Sequence, residues 1–167
     1  MMMRLTLFVL AALLLTTTVQ AQEEKKQYNL NAADGIVYYD LETNQPVAKT
    51  NKSWDIAFNK TAIQLNSAEG KVEAQIVSGN NFDKVLKAPA GGYKKDAAGS
   101  SAIPTGSGNG WYNYNMDDHT IQPIADRVLV IKTTEGKYVK LAITSYYKDQ
   151  KDFNPGGYYN FKYSFIK

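Results

Sequence analysis

Residues 127–147 read RVLVIKTTEGKYVKLAITSYY. β-Branched and aromatic residues dominate both halves, and such side chains fit a pleated, half-buried surface. Glu135-Gly136 separates the halves, and two residues ending in glycine favour a tight antiparallel hairpin. Alternation puts Val128, Val130 and Lys132 on one face and Leu129, Ile131 and Thr133 on the other. Both faces carry apolar side chains, which predicts a central position in the sheet.

Toward the C-terminus, residues 149–157 (DQKDFNPGG) form a loop, and 158–166 (YYNFKYSFI) alternate again. Tyr159, Phe161, Tyr163 and Phe165 share a face, so this run is a strand docked on the core. Toward the N-terminus, residues 53–59 (SWDIAFN) set Trp54, Ile56 and Phe58 on one face and Asp55, Ala57 and Asn59 on the other. Further strands are expected at 36–40, 47–49, 62–66, 72–77 and 111–115 (WYNYN). A turn at 116–119 (MDDH) follows, then an edge-like run at 121–124 containing Pro123. Residues 80–110 differ: Phe82, Val85 and Leu86 suggest one helical turn, ended by Pro89. The Gly-, Ser-, Ala- and Lys-rich remainder is long for an idle connection, and is a candidate ligand lid. Eight to ten strands with short connections predict an all-β fold with very little helix. Its antiparallel sheets would be sandwich-like or partly open and barrel-like.

Residues 1–21 (MMMRLTLFVLAALLLTTTVQA) have one charge at Arg4, an apolar run and a small-x-small end, the order of a cleavable signal peptide. The apolar run is too short for a membrane span. Residues 22–33 are polar and aperiodic, and read as a flexible lead; residues 34–167 form a single domain. The net charge is only +3, with the leader contributing Arg4 alone, and the lysines are spread along the chain. This gives no argument for nucleic acid. There is no cysteine, so disulfides, thiolate chemistry and an acylated membrane anchor are excluded.

Catalytic signatures are missing: no GxSxG, no phosphate-binding glycine loop and no HExxH. His119 is the sole histidine, which excludes a multi-histidine metal site, and it has no elbow-type serine for a triad. The chain reads as a non-enzyme. Met116, the sole methionine beyond the first three residues, lies three residues before His119. A thioether and an imidazole are the common neutral axial ligands of haem iron, though a methionine also serves as packing filler. Tyr112, Tyr114, Tyr146 and Tyr147 could wall a flat ligand, or pair across a sheet as ordinary strand aromatics.

Three blocks carry a resemblance: SWDIAFN at 53–59, GSGNGWYNYN at 106–115, and RVLVIKTTEGKYVKLAITSYYKD…GGYYNFKY from 127 to 163. In order and spacing they resemble the HmuY-type family of exported, all-β haem-binding proteins of Gram-negative bacteria. The resemblance covers residues 36–163. It implies a haemophore-like carrier that holds haem b non-covalently at one end of the β-structure and delivers it to an outer-membrane receptor. It also implies histidine or methionine axial ligands, and Met116 and His119 lie where one would be sought. The family's second ligand comes from the loop before the last strand. Here residues 149–157 hold neither histidine nor methionine, and Lys151 or a nearby tyrosine would have to substitute. That departure keeps open another reading: an exported, non-catalytic β-domain that has lost its haem ligands and binds a glycan or a surface protein. Anchored relatives are common in the family. Without a cysteine, this chain is expected to be periplasmic or secreted, and soluble after cleavage.

Overall fold

The computed structural model describes residues 23–167; the expected signal peptide lies outside them. The described chain forms eleven strands: β1 (Lys25–Asn31), β2 (Val37–Asp40), β3 (Gln45–Val47), β4 (Ile56–Asn59), β5 (Ala62–Leu65), β6 (Glu73–Ser78), β7 (Tyr112–Tyr114), β8 (Ile121–Pro123), β9 (Arg127–Lys132), β10 (Tyr138–Tyr147) and β11 (Gly156–Ile166). They make a five-stranded sheet ordered β1-β11-β10-β9-β6, a four-stranded sheet ordered β3-β2-β4-β5 and the β7-β8 hairpin. All pairings are antiparallel. The architecture is all-β, and among the described residues no sheet closes into a barrel. The only helical pieces described are two short 3-10 turns, at Phe82–Lys84 and Lys148–Gln150.

The central hairpin is where its two apolar faces require. β10 lies between β9 and β11, and β9 is covered in turn by β6. Leu129 and Ile131 enter the main core between the two large sheets. Val128 and Val130 enter a second core on the outer face, with Phe82, Val85 and Ile166. Residues 82–85 therefore cap the outer face of a sheet that would otherwise expose a valine row.

Two expectations need correction. The connection between β9 and β10 is longer than two residues: Thr133 N–H donates to Lys137 O (2.8 Å) and Gly136 N–H to Thr133 O (2.9 Å), with Gly136 at φ +77. Thr133 and Thr134 leave the ladder because they serve the other sheet. Thr134 N–H donates to Asp55 Oδ1 (2.7 Å), and the Thr133 hydroxyl donates to Glu42 Oε1. The polar lead 22–33 is also largely strand. β1 pairs with β11 from Lys25↔Tyr163 to Asn31↔Tyr158, with a bulge between Gln27 and Leu30. A polar sequence with no period can still complete a sheet edge, because backbone hydrogen bonding does not depend on side-chain identity. The join is close: Gly157, at φ +85, would place a Cβ 2.8 Å from Ala33 Cα.

The candidate lid is fastened at several points. Ala74 and Lys94 exchange backbone hydrogen bonds (2.9 and 2.8 Å). Asp96 accepts from Leu65 N–H (2.7 Å) and Ala102 N–H (2.8 Å). Ala102 and Ile103 are buried in the main core. The segment packs as part of the body.

Asp55 joins the two large sheets. It is fully buried, and its oxygens accept Leu41 N–H (2.9 Å) and Thr134 N–H (2.7 Å). Burial pushes its carboxyl up to about 7; the two N–H donors pull it down, and the neighbouring Glu42 carboxyl raises it again. A carboxyl raised in the folded state binds protons more tightly there than in the unfolded chain. Its contribution to stability is therefore largest at low pH, declines between about pH 4 and pH 7, and is flat above. In Glu42→Gln the amide can donate to Asp55 at every pH and still accept from Thr133. Melting curves from pH 5 to pH 8 should show this variant losing up to about 1 kcal/mol less stability than the wild type, since burial is the larger cause. Parallel curves would show that Glu42 does not help raise the Asp55 carboxyl.

The core gives a second prediction. Tyr159 is fully buried, and its hydroxyl has no hydrogen-bond partner. Tyr159→Phe should stabilise by about 1 kcal/mol, because it removes an unsatisfied buried group. Tyr159→Ala should cost about 3–5 kcal/mol. Chemical denaturation measures both.

Candidate functional site

The β7-β8 hairpin is the segment that sequence reading singled out, and its base is bound to the body. Trp111 is buried; its indole N–H donates to Thr61 O (2.9 Å). Its ring packs against Tyr112, Tyr159 and Tyr146, with centroids 4.8, 5.4 and 5.8 Å away. On the other strand, Ile121 N–H donates to the Tyr147 hydroxyl (2.7 Å). Tyr112, Tyr146 and Tyr147 are each only 8% exposed. These three candidate pocket tyrosines therefore come together as the floor under the hairpin. Burial, with smaller contributions from Tyr147 and Tyr112, raises the Tyr146 hydroxyl above the usual phenol range, so it stays protonated.

The tip behaves differently. Tyr114, Met116 and His119 are all exposed, Met116 at 73%. The Tyr114 hydroxyl lies 2.7 Å from Nδ1 of His119. Asn115 N–H donates to Thr120 O (2.8 Å) and closes the turn. Asp118 Oδ1 takes both Thr120 N–H (3.0 Å) and the Thr120 hydroxyl (2.7 Å). The Thr120 hydroxyl contact is the main cause of a lowered Asp118 carboxyl. His119 sits between these restraints in a left-handed backbone, φ +59.

Sequence reasoning missed Phe153. It lies in the loop between β10 and β11, is 76% exposed, and has φ +71. Its neighbour Asp152 accepts from Gln122 Nε2 of β8 (3.1 Å), which brings this loop against the hairpin. The loop is held from the other side by Asn29: Asp149 N–H donates to Asn29 Oδ1 (2.7 Å), and Asn29 Nδ2 donates to Asp149 Oδ1 (2.9 Å). A lone phenylalanine in a polar loop, DQKDFNPGG, was the available signal. Among the described residues, six large apolar side chains are exposed, and three of them, Tyr114, Met116 and Phe153, lie on these two joined segments.

Two other features lie elsewhere. Asp40, Glu42 and Asp55 bring carboxylate oxygens within 4.8 Å of one another. Asp40 and Asp55 already use both oxygens on Thr43 N–H, the Ser53 hydroxyl, Leu41 N–H and Thr134 N–H, so this cluster is a structural junction. A hollow of about 490 Å³ is lined by Lys25, Glu42, Lys137, Tyr138, Phe165 and Ile166. It lies at the Tyr138↔Ile166 end of the β10-β11 ladder, whereas the hairpin tip lies toward Tyr147↔Gly156. Ten residues of strand put these ends about 30 Å apart. No helix among the described residues is long and apolar enough to cross a membrane.

The family model described as HmuY protein matches residues 32–163. No curated protein matches the sequence. Among solved structures, the chain resembles the apo HmuY analogue (TFO) of Tannerella forsythia. The TM-score is 0.60 at 19% identity, covering 87% of this chain and 96% of that one. It resembles apo PinO, attributed to Porphyromonas gingivitis, with TM-score 0.60 at 18% identity over 89% and 98% of the two chains. It also resembles a protein of Bacteroides vulgatus described as HmuY-like and haem-binding, with TM-score 0.59 at 16% identity over 84% and 91%. At these identities the likeness shows a shared fold.

The bond from Ile121 to Tyr147 should govern how firmly the hairpin is seated. Tyr147→Phe leaves Ile121 N–H without this acceptor, at a local cost of about 1–2 kcal/mol. Hydrogen exchange should show the amides of β7 and β8 exchanging roughly ten-fold faster while those of β10 and β11 hold, as expected for sub-global opening. Uniform change across the chain would show that the bond supports the whole fold instead.

Proposed function

Because this chain belongs to the HmuY family, we propose that it is an exported haem carrier whose β7-β8 hairpin tip supplies an axial donor to the iron. Members of the family are haem-binding carriers and not enzymes, and this chain is of that haem-binding type. The observation that carries the proposal is the pairing of exposed apolar and ligating side chains on two joined segments. Met116 and His119 stand on the tip, Tyr114 beside them, and Phe153 on the loop bound to the hairpin through Gln122 and Asp152.

The chemistry follows from the donor set. Imidazole and thioether are neutral ligands suited to haem iron. Met116 and His119 are three residues apart on one turn, so they do not stand as a pair across a porphyrin. The loop that supplies the family's second ligand offers Phe153 here, an apolar aromatic suited to covering a porphyrin face. With one protein ligand, bound haem would remain open to water or to a donor on a receiving protein. A carrier ligated on one side holds its cargo less firmly and releases it more readily. Release to an outer-membrane receptor, haem b as the bound form, and export by residues 1–21 belong to the same reading.

Titrating purified protein with hemin tests it. The wild type should shift the Soret band and saturate at one-to-one stoichiometry. His119→Ala or Met116→Ala should abolish or displace the shift, according to which residue ligates. A Soret band moved by both variants as it is by the wild type would refute a ligand at the hairpin tip. A band unmoved by the wild type would refute haem binding itself, and the reading as a binder of a glycan or surface protein would then stand in its place.

A further inference from the structure

We infer that Tyr114 is the positioning residue for the axial donor, its phenol oxygen accepting from Nδ1–H of His119 so that the Nε2 lone pair is presented to iron. The inference rests on the haem reading above and makes it specific: it selects His119 over Met116 and assigns its tautomer.

The geometry supports this in three steps. First, the backbone around His119 is fixed. Asp118 holds Thr120 by two hydrogen bonds on one side, and Asn115 Oδ1 holds Asp117 N–H (2.9 Å) on the other. Within that frame His119 takes a left-handed conformation, which costs a non-glycine residue about 1–2 kcal/mol and persists only where its surroundings enforce it. Second, the ring's remaining freedom is rotation about its side-chain bonds, and the 2.7 Å contact with the Tyr114 hydroxyl removes it. Tyr114 is itself fixed, being in β7 and paired with Ile121 of β8. Third, a neutral imidazole carries one N–H and one lone pair. With Nδ1 bonded to the phenol, the nitrogen left for a metal is Nε2, and metal at Nε2 requires the proton on Nδ1. The phenol oxygen can accept that proton's hydrogen bond while its own O–H turns to solvent, since Tyr114 is exposed.

Met116 has no comparable arrangement. It is 73% exposed, and its three rotatable bonds leave the thioether unordered in direction. A donor ordered before binding loses less entropy on ligation than one that is not.

A hydrogen-bond partner on the other ring nitrogen of a ligating histidine fixes the tautomer and raises ligand basicity, and removing one costs about 10–100-fold in affinity. Tyr114→Phe keeps the ring and removes only the hydroxyl. It should weaken hemin binding about ten-fold and raise the ferric–ferrous potential, because a less basic imidazole stabilises ferric iron less. The melting temperature should be unchanged, since the contact is at the surface. His119 is the sole histidine, so nitrogen NMR of labelled, haem-free protein reads its tautomer directly. The wild type should show the Nδ1-protonated form, and Tyr114→Phe a mixture; an Nε2-protonated wild type, with the phenol O–H donating to Nδ1, overturns the assignment. The two measurements separate the claims. A wild type that leaves hemin unshifted refutes the haem reading, while the NMR spectra still decide whether Tyr114 sets the tautomer. Identical NMR spectra for the two proteins, or unchanged affinity and potential in Tyr114→Phe, overturn the inference.

Discussion

Tyr159 is the point at which the three sheets meet. Its ring lies 4.4 Å from Phe58 of the four-stranded sheet, 5.4 Å from Trp111 at the base of the hairpin and 5.6 Å from Tyr146 of the neighbouring strand. Phe161, two residues on and therefore on the same face, continues the contact to Phe58 and Tyr39. Aromatic pairs at such distances add to the burial of large apolar area. The packing is tight enough that the hydroxyl of Tyr159 is buried without a partner. The protein accepts this cost because the ring fills the junction.

The site follows from that junction. Tyr146 and Trp111 place the base of β7, Tyr147 places β8, and the short hairpin then projects a tip too small to have a core of its own. Two-stranded hairpins are marginal when isolated, so this one is held by the body at its base, and its tip is exposed. The candidate donors stand at the exposed tip. The four candidate pocket tyrosines divide accordingly: Tyr112, Tyr146 and Tyr147 are buried beneath the hairpin, and Tyr114 is at the surface beside His119. The other inter-sheet link, through Asp55, is polar and remote from the tip in sequence. It ties the start of β4 to the β9-β10 turn, through a carboxyl that burial raises.

Much of the fold was legible because its signal is local. The runs at 127–132, 138–147 and 158–166 alternate clearly and are strands with the expected faces. Of 53–59 only Ile56–Asn59 is strand, with Ile56 and Phe58 in the core, while Trp54 precedes it, half-buried against Tyr38 instead of facing inward. β1 was not legible, because KKQYNLN has no pattern; its state comes from an unpaired edge on β11. Thr133 and Thr134 looked like strand by composition, and two carboxylates from distant chain segments draw them out of it. The long glycine-rich segment looked loose because its anchors, Asp96 and Ile103, are single residues without a period.

By itself the sequence determined the all-β class, the central hairpin, the absence of thiol chemistry, and Met116 and His119 as the singletons worth attention. These follow from residue type and spacing, which no packing can alter. The tertiary structure alone decided which tyrosines are buried, that Phe153 joins the hairpin side through Asp152, and that the Tyr114 phenol meets His119. Those facts are contacts between side chains whose directions are set by a turn and by neighbouring strands. A period of two tells which face a residue takes, and leaves open what stands opposite it.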